Sequence, residues 1–138
     1  MTDRESLCEK ALEMRKAAYT PYSGFCVGAA LLCKDGSVYT GCNIENAAYT
    51  PTNCAERTAF FKAVSEGKRE FTAIAIAGGA REAKTLTLCA PCGVCRQVMR
   101  EFGEDTFEII LARTREDYEV YTLKDLLPMS FGPENLGG

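Results

Sequence analysis

The chain has 138 residues, a net charge of −3, eight cysteines and no histidine. Hydrophobic residues at 46% and charged residues at 25% suit one globular domain spanning positions 1–138, and argue against disorder. The negative balance disfavours a polyanion-binding face, and the missing histidine leaves thiolates and carboxylates as the available metal ligands and bases.

Thr2-Asp3-Arg4-Glu5 predicts a capping box opening a helix to about Ala18, with Leu7, Ala11, Met14 and Ala18 at helical spacing. A start this charged, without an apolar core behind it, does not have the pattern of a secretory signal. The longest apolar run, Phe25 to Cys33, falls far short of the ~20 residues that a membrane span needs. A cytoplasmic protein is therefore expected, with no membrane partner and no nucleic acid partner. In that compartment, eight cysteines point to metal binding or catalysis before a disulfide framework.

Pro21-Tyr22-Ser23-Gly24 reads as a turn. The run Phe25–Cys33 suits a central strand buried on both faces, although periodicity alone leaves a buried helix open. Gly28 and Ala29 mark a close approach to this strand. Lys34-Asp35-Gly36-Ser37 is a hairpin signal, and Val38 to Asn43 returns antiparallel. Asn43 to Pro51 leaves the sheet as a loop. A helix is predicted from about Cys54 to Glu66, a strand over Phe71–Ala77, and an extended segment over Thr85–Leu88. A second helix follows from Cys92 to about Phe102, then a strand over Phe107–Ala112, a six-residue polar turn over Arg113–Tyr118, a strand over Glu119–Thr122, and a short helix at Leu123–Leu127. Six residues are too few for a parallel crossover, so the last two strands should be antiparallel. The alternation before them argues for right-handed crossovers and helices on both faces of one sheet.

Two stretches carry the chemistry: Thr52-Asn53-Cys54-Ala55-Glu56-Arg57 and Ala90-Pro91-Cys92-Gly93-Val94-Cys95-Arg96-Gln97. Alone, Cys92-x-x-Cys95 is open between a redox dithiol, half of a structural zinc site and a catalytic zinc site. Cys89 extends the run toward an iron–sulfur pattern, but no cysteine follows Cys95. Glu56 can be read as the partner of an Asn53 helix cap, with Cys54 a buried thiol. Arg57 can be a surface residue or a donor to a thiolate. Together the stretches place three thiols at two helix starts, where the helix dipoles favour thiolates. Three such ligands leave the fourth position of a zinc ion open for chemistry.

With both stretches in hand, the sequence resembles the cytidine deaminases, in particular the short homotetrameric three-cysteine class. Cys54-Ala55-Glu56-Arg57 and Pro91-Cys92-Gly93-Val94-Cys95-Arg96-Gln97 correspond to the paired signature of zinc deaminases. The likeness runs from Tyr22-Ser23 to Leu126-Leu127-Pro128, with Ala90 where many relatives carry serine. It implies a three-layer α-β-α sandwich around a mixed five-stranded sheet. It further implies one Zn²⁺ per subunit on Cys54, Cys92 and Cys95, with Glu56 as proton shuttle and Arg57 compensating thiolate charge. Phe25, Asn43, Glu45 and Ala55 would contact the nucleoside, and Ala47, Tyr49 and Phe131 would reach the pocket of a neighbouring subunit. By the same comparison Cys89 is no ligand, and Cys8, Cys26, Cys33 and Cys42 are packing thiols.

The activity implied is hydrolysis of cytidine and 2′-deoxycytidine to uridine and 2′-deoxyuridine, releasing ammonia, in pyrimidine salvage. One alternative is a deaminase of a related nucleoside such as blasticidin S, which Asn43-x-Glu45 weighs against. A nucleic-acid deaminase is disfavoured by the charge and the short turn at Arg113. From a different class, a structural zinc or iron–sulfur module would recruit Cys89 and have no use for Glu56. The helix bearing Cys54 also carries Phe60 and Phe61 about 100° apart, a wider apolar face than one sheet requires, which suggests contact with another subunit.

Overall fold

The computed structural model describes residues 2–137; positions 1 and 138 of the expected domain lie outside them. Helix α1 (Arg4–Met14) starts one residue later than a Thr2 cap would place it. Asp3 is the cap, its side chain accepting from the Ser6 N–H at 2.8 Å. The helix tightens into a 3₁₀ turn at Arg15–Ala17 and stops.

Strands β1 (Phe25–Cys33) and β2 (Val38–Cys42) form the expected hairpin, and β1 is a strand and not a buried helix. Helix α2 (Ala55–Ser65), β3 (Phe71–Ala80), α3 (Gly93–Phe102), β4 (Glu108–Ala112), β5 (Tyr118–Thr122) and the single turn α4 (Leu123–Leu126) follow. Among the described residues the strands form one five-stranded sheet in the order β2-β1-β3-β4-β5. Its last two strands are antiparallel, as the short connection requires. Two crossovers are present: β2 and β3, each antiparallel to β1 between them, run parallel to one another and are joined across α2, and the neighbours β3 and β4 are parallel across α3.

Strand β3 shows how period-2 alternation builds the layers. Ala73, Ala75 and Ala77 face α1, joined by Ala30, Ile110 and Ala112 under Leu7, Cys8 and Ala11. Ile74 and Ile76 face the other way, into a bulkier core with Leu31, Phe60, Met99, Ile109 and Leu111 beneath α2 and α3. Phe60 anchors that core, its ring centroid 5.0 Å from Phe71 and 6.0 Å from Phe107. Small residues let both helices approach closely. A Cβ on Gly28 would lie 2.0 Å from the Ala11 carbonyl oxygen, and one on Gly41 would lie 2.4 Å from that of Ala55.

Strand β3 extends past Ala77 through Gly78 and Gly79. The Cys89 sulfur lies over Gly78 and the Leu86 side chain over Gly79, each where a Cβ would collide. The glycines are therefore strand positions shaved for packing. Thr85–Leu88 forms no strand; this segment lies across the end of β3. No helix among the described residues is long and apolar enough to cross a membrane.

Candidate active site

The two signature stretches arrive at one place because α2 and α3 pack on the same face of the sheet and begin near each other. Cys54 is the N-cap of α2 and Cys92 the N-cap of α3, both with extended backbone and neither making a side-chain capping bond. Cys95 follows in the first turn of α3 and is fully buried. The three sulfurs lie within 4.8 Å of one another, Cys54 to Cys92 at 3.7 Å and Cys92 to Cys95 at 3.4 Å. Tetrahedral zinc with bonds of about 2.3 Å would separate its sulfurs by roughly 3.8 Å. The donor set fits such an ion with little movement.

A second observation agrees with this fit. Arg57 donates from Nη2 to the Cys54 sulfur at 3.3 Å, while its Nε is buried without an acceptor. An ionised sulfur is the acceptor that a buried donor beside three thiols calls for. The Cys95 thiol, then Arg57 and Cys92, hold Cys54 down at about 5 against the opposing effect of burial. Cys95 is pushed strongly upward by its interaction with Cys54 and by burial, so the two thiols share their titration.

Glu56 is the second residue of α2 and only 4% exposed. The capping alternative for it does not hold. Cys54, and not Asn53, occupies the cap position, and Asn53 donates from Nδ2 to the Thr58 hydroxyl at 3.2 Å. Burial pushes the Glu56 carboxyl up to about 7, with the Cys54 charge acting in the same direction. A carboxyl in that range exchanges protons near neutral pH, which is what a general acid–base needs.

Cys89 stands outside the three-sulfur cluster. Burial pushes its thiol up to about 11, which marks a packing residue. All eight cysteines are free, and Cys8, Cys26, Cys33 and Cys42 are buried in the hydrophobic layers.

The segment after β2 is tied to both flanks of the site. Ile44 and Asn53 exchange backbone hydrogen bonds at 2.9 Å, and Tyr19 bonds to Asn43 and Glu45. The Asn43 amide brackets β1, with Oδ1 accepting from the Val27 N–H and Nδ2 donating to the Phe25 carbonyl, both at 2.8 Å. One amide hydrogen stays available to a ligand. The Phe25 side chain is 45% exposed beside this bracket. Ala55 is fully buried, backbone included.

Glu45 accepts from the Tyr22 and Ser23 N–H groups and from the Ser23 hydroxyl. Tyr22 and Ser23 had no functional role in the sequence reading; their one local signal was the turn immediately before Phe25. Glu45 and Tyr49 line one hollow of ≈ 260 Å³ with Asn46 and Thr52. Tyr49 is 76% exposed on a left-handed backbone, and Ala47 is exposed on the same loop. Phe131 is 57% exposed, its carbonyl held by Gln97 of α3 at 2.9 Å. A cavity of ≈ 1070 Å³ lies elsewhere, among the start of α1, the end of β1 and the first residues of β3 and β4. No residue of the candidate set lines it.

A helix-flanked mixed sheet with three thiols and a buried carboxyl at two helix starts is the architecture of a zinc-binding deaminase. The profile of the cytidine and deoxycytidylate deaminase zinc-binding region matches residues 1–111. The chain belongs to the cytidine and deoxycytidylate deaminase family. It is 50% identical over 134 residues to a cytidine deaminase of Sporosarcina psychrophila, covering 97% of this chain and 95% of the relative. A cytidine deaminase of Halalkalibacterium halodurans is 49% identical over 134 residues, covering 97% and 98%. The crystal structure of the cytidine deaminase from Burkholderia pseudomallei superposes with a TM-score of 0.85 at 48% identity, over 94% of this chain and all of that one.

Proposed function

We propose that the chain hydrolyses cytidine and 2′-deoxycytidine to uridine and 2′-deoxyuridine with release of ammonia, serving pyrimidine salvage in the cytoplasm. The observation that carries this reading is the convergence of the Cys54, Cys92 and Cys95 sulfurs within 4.8 Å at two helix starts, with the Glu56 side chain buried two residues from Cys54. Identity of 50% to a cytidine deaminase over nearly the whole chain supports the substrate.

In this reading Cys54, Cys92 and Cys95 hold one Zn²⁺ per subunit. When bound, the ion supplies a water acidic enough to act near neutral pH. Glu56 accepts a proton from that water and delivers it to N3 of the pyrimidine, which makes C4 electrophilic. With the water oxygen added to C4, Glu56 would carry the remaining hydroxyl proton to the amine, so that C4=O forms as the C4–N bond breaks and ammonia leaves. Arg57 draws charge from Cys54 and so offsets the electron-rich thiolates. Phe25, Asn43 and Glu45 orient the nucleoside.

Ala47, Tyr49 and Phe131 act on neighbouring subunits of a homotetramer in the same reading. Phe61, half exposed on α2 beside the buried Phe60, supports a subunit contact there. Light scattering that found a fully active monomer would remove this part.

Glu56→Ala, with zinc content and turnover both measured, tests the whole. Retained zinc with a loss of roughly 10²–10⁴-fold in kcat is expected. Retained turnover, or zinc lost together with the carboxyl, would overturn the assigned role.

A further inference from the structure

The turn ahead of β1 holds Glu45 with three donors. Oε1 accepts from the Tyr22 N–H at 3.0 Å and the Ser23 N–H at 3.1 Å, and Oε2 accepts from the Ser23 hydroxyl. The same hydroxyl oxygen accepts from the Phe25 N–H at 3.0 Å. With Phe25 donating to it, the Ser23 hydroxyl has its own proton free for Glu45, and the orientation is locked from both sides. This places one serine oxygen between two residues expected to contact the nucleoside.

We propose that Ser23 is a positioning residue for the nucleoside sugar, acting through Glu45. The proposal rests on the reading of Glu45 as a sugar contact. A carboxylate oxygen has about two acceptor sites. Oε1 has both filled by backbone, and Oε2 has one filled by Ser23. A single acceptor position remains on the carboxylate, so Glu45 reads one sugar hydroxyl. The three donors keep the group ionised, the Ser23 hydroxyl being the largest cause of its lowered pKa. An ionised, acceptor-only group takes a hydroxyl donor and repels a phosphate in the same place. Selection for free nucleosides over chains linked through that hydroxyl follows directly.

The test compares wild type, Ser23→Ala, Ser23→Thr and Glu45→Gln on cytidine and on 2′,3′-dideoxycytidine, which lacks both ring hydroxyls. Zinc content and thermal unfolding serve as checks on folding. Ser23→Ala should raise KM for cytidine about tenfold with kcat nearly unchanged, the signature of lost uniform binding. Ser23→Thr, which keeps the hydroxyl, should restore it. On 2′,3′-dideoxycytidine, Ser23→Ala and wild type should agree within about twofold. An equal loss on both substrates would show a merely structural serine and overturn the proposal. An effect of Glu45→Gln without one of Ser23→Ala would overturn the proposal and leave the sugar reading of Glu45 intact. No effect of Glu45→Gln on cytidine would overturn that reading and the proposal with it.

Discussion

The Arg57 guanidinium donates through Nη2 to the Cys54 sulfur at 3.3 Å, yet keeps its Nε buried with no partner. A buried donor without an acceptor costs about 1–3 kcal/mol, and is retained where a charged partner gives it a use. Three thiolates around a divalent cation carry a net negative charge, which a guanidinium can share through the sulfurs. Arg57→Gln should therefore weaken zinc binding by about 10–100-fold in a chelator competition, the usual effect of losing a group that orients or polarises a ligand. Arg57→Lys should recover little of it, because a compact ammonium cannot reproduce the planar fork. Unchanged zinc affinity in Arg57→Gln would make the arginine a helix-surface residue.

The helix limits were legible in the sequence because Pro and Gly punctuate them: Pro91 before Cys92 at the start of α3, Gly67 after the end of α2 and Gly103 after that of α3. The sheet's antiparallel end followed from loop length alone. Other features had no local signature. The predicted strand stops at Ala77, short of Gly78 and Gly79, because nothing in the sequence says that Cys89 and Leu86 lie over them. The clustering of Cys54 with Cys92 bridges thirty-eight positions, and came from the paired motif and not from periodicity. The role of Ser23 was invisible for a related reason: its partner, Glu45, lies twenty-two residues on, across the hairpin. Asn53 looked like a helix cap, and lost that position because the chain turns helical one residue later.

Glu56 gives the metal-free protein a pH-dependent stability whose sign can be worked out. Its pKa in the folded chain is about 7, raised from 4.5 mainly by burial. Between those values the folded state holds a proton that the unfolded state releases. This contribution to stability therefore falls as pH rises from about 4.5 and levels off above about 7. Glu56→Gln keeps the neutral form at every pH. The metal-free variant should match wild type near pH 4.5 and exceed it by up to ~3 kcal/mol near pH 8. Urea unfolding of both proteins at the two pH values measures the difference, and the titration of the thiols, common to both, largely cancels. Parallel stability curves would mean that Glu56 is solvated in the metal-free protein.

Gly41 tests whether the site depends on how closely α2 lies on the sheet. In β2 it pairs with Ala29 and faces α2, and a Cβ there would sit 2.4 Å from the Ala55 carbonyl oxygen and 2.7 Å from the Ala59 nitrogen. Both are backbone atoms, so relief requires moving the helix whose first turn carries Cys54, Ala55 and Glu56. Gly28 is the matched control. It faces α1, where a Cβ would lie 2.0 Å from the Ala11 carbonyl oxygen, and α1 carries none of the three sulfurs. Overpacking of this kind costs about 1–3 kcal/mol, and contact with backbone places both substitutions at the upper end. Gly41→Ala and Gly28→Ala should therefore lower the thermal midpoint similarly. Zinc affinity should fall in Gly41→Ala alone, because only that change displaces Cys54 from Cys92 and Cys95. Equal zinc affinity in the two variants at equal destabilisation would show that the thiol cluster tolerates movement of α2.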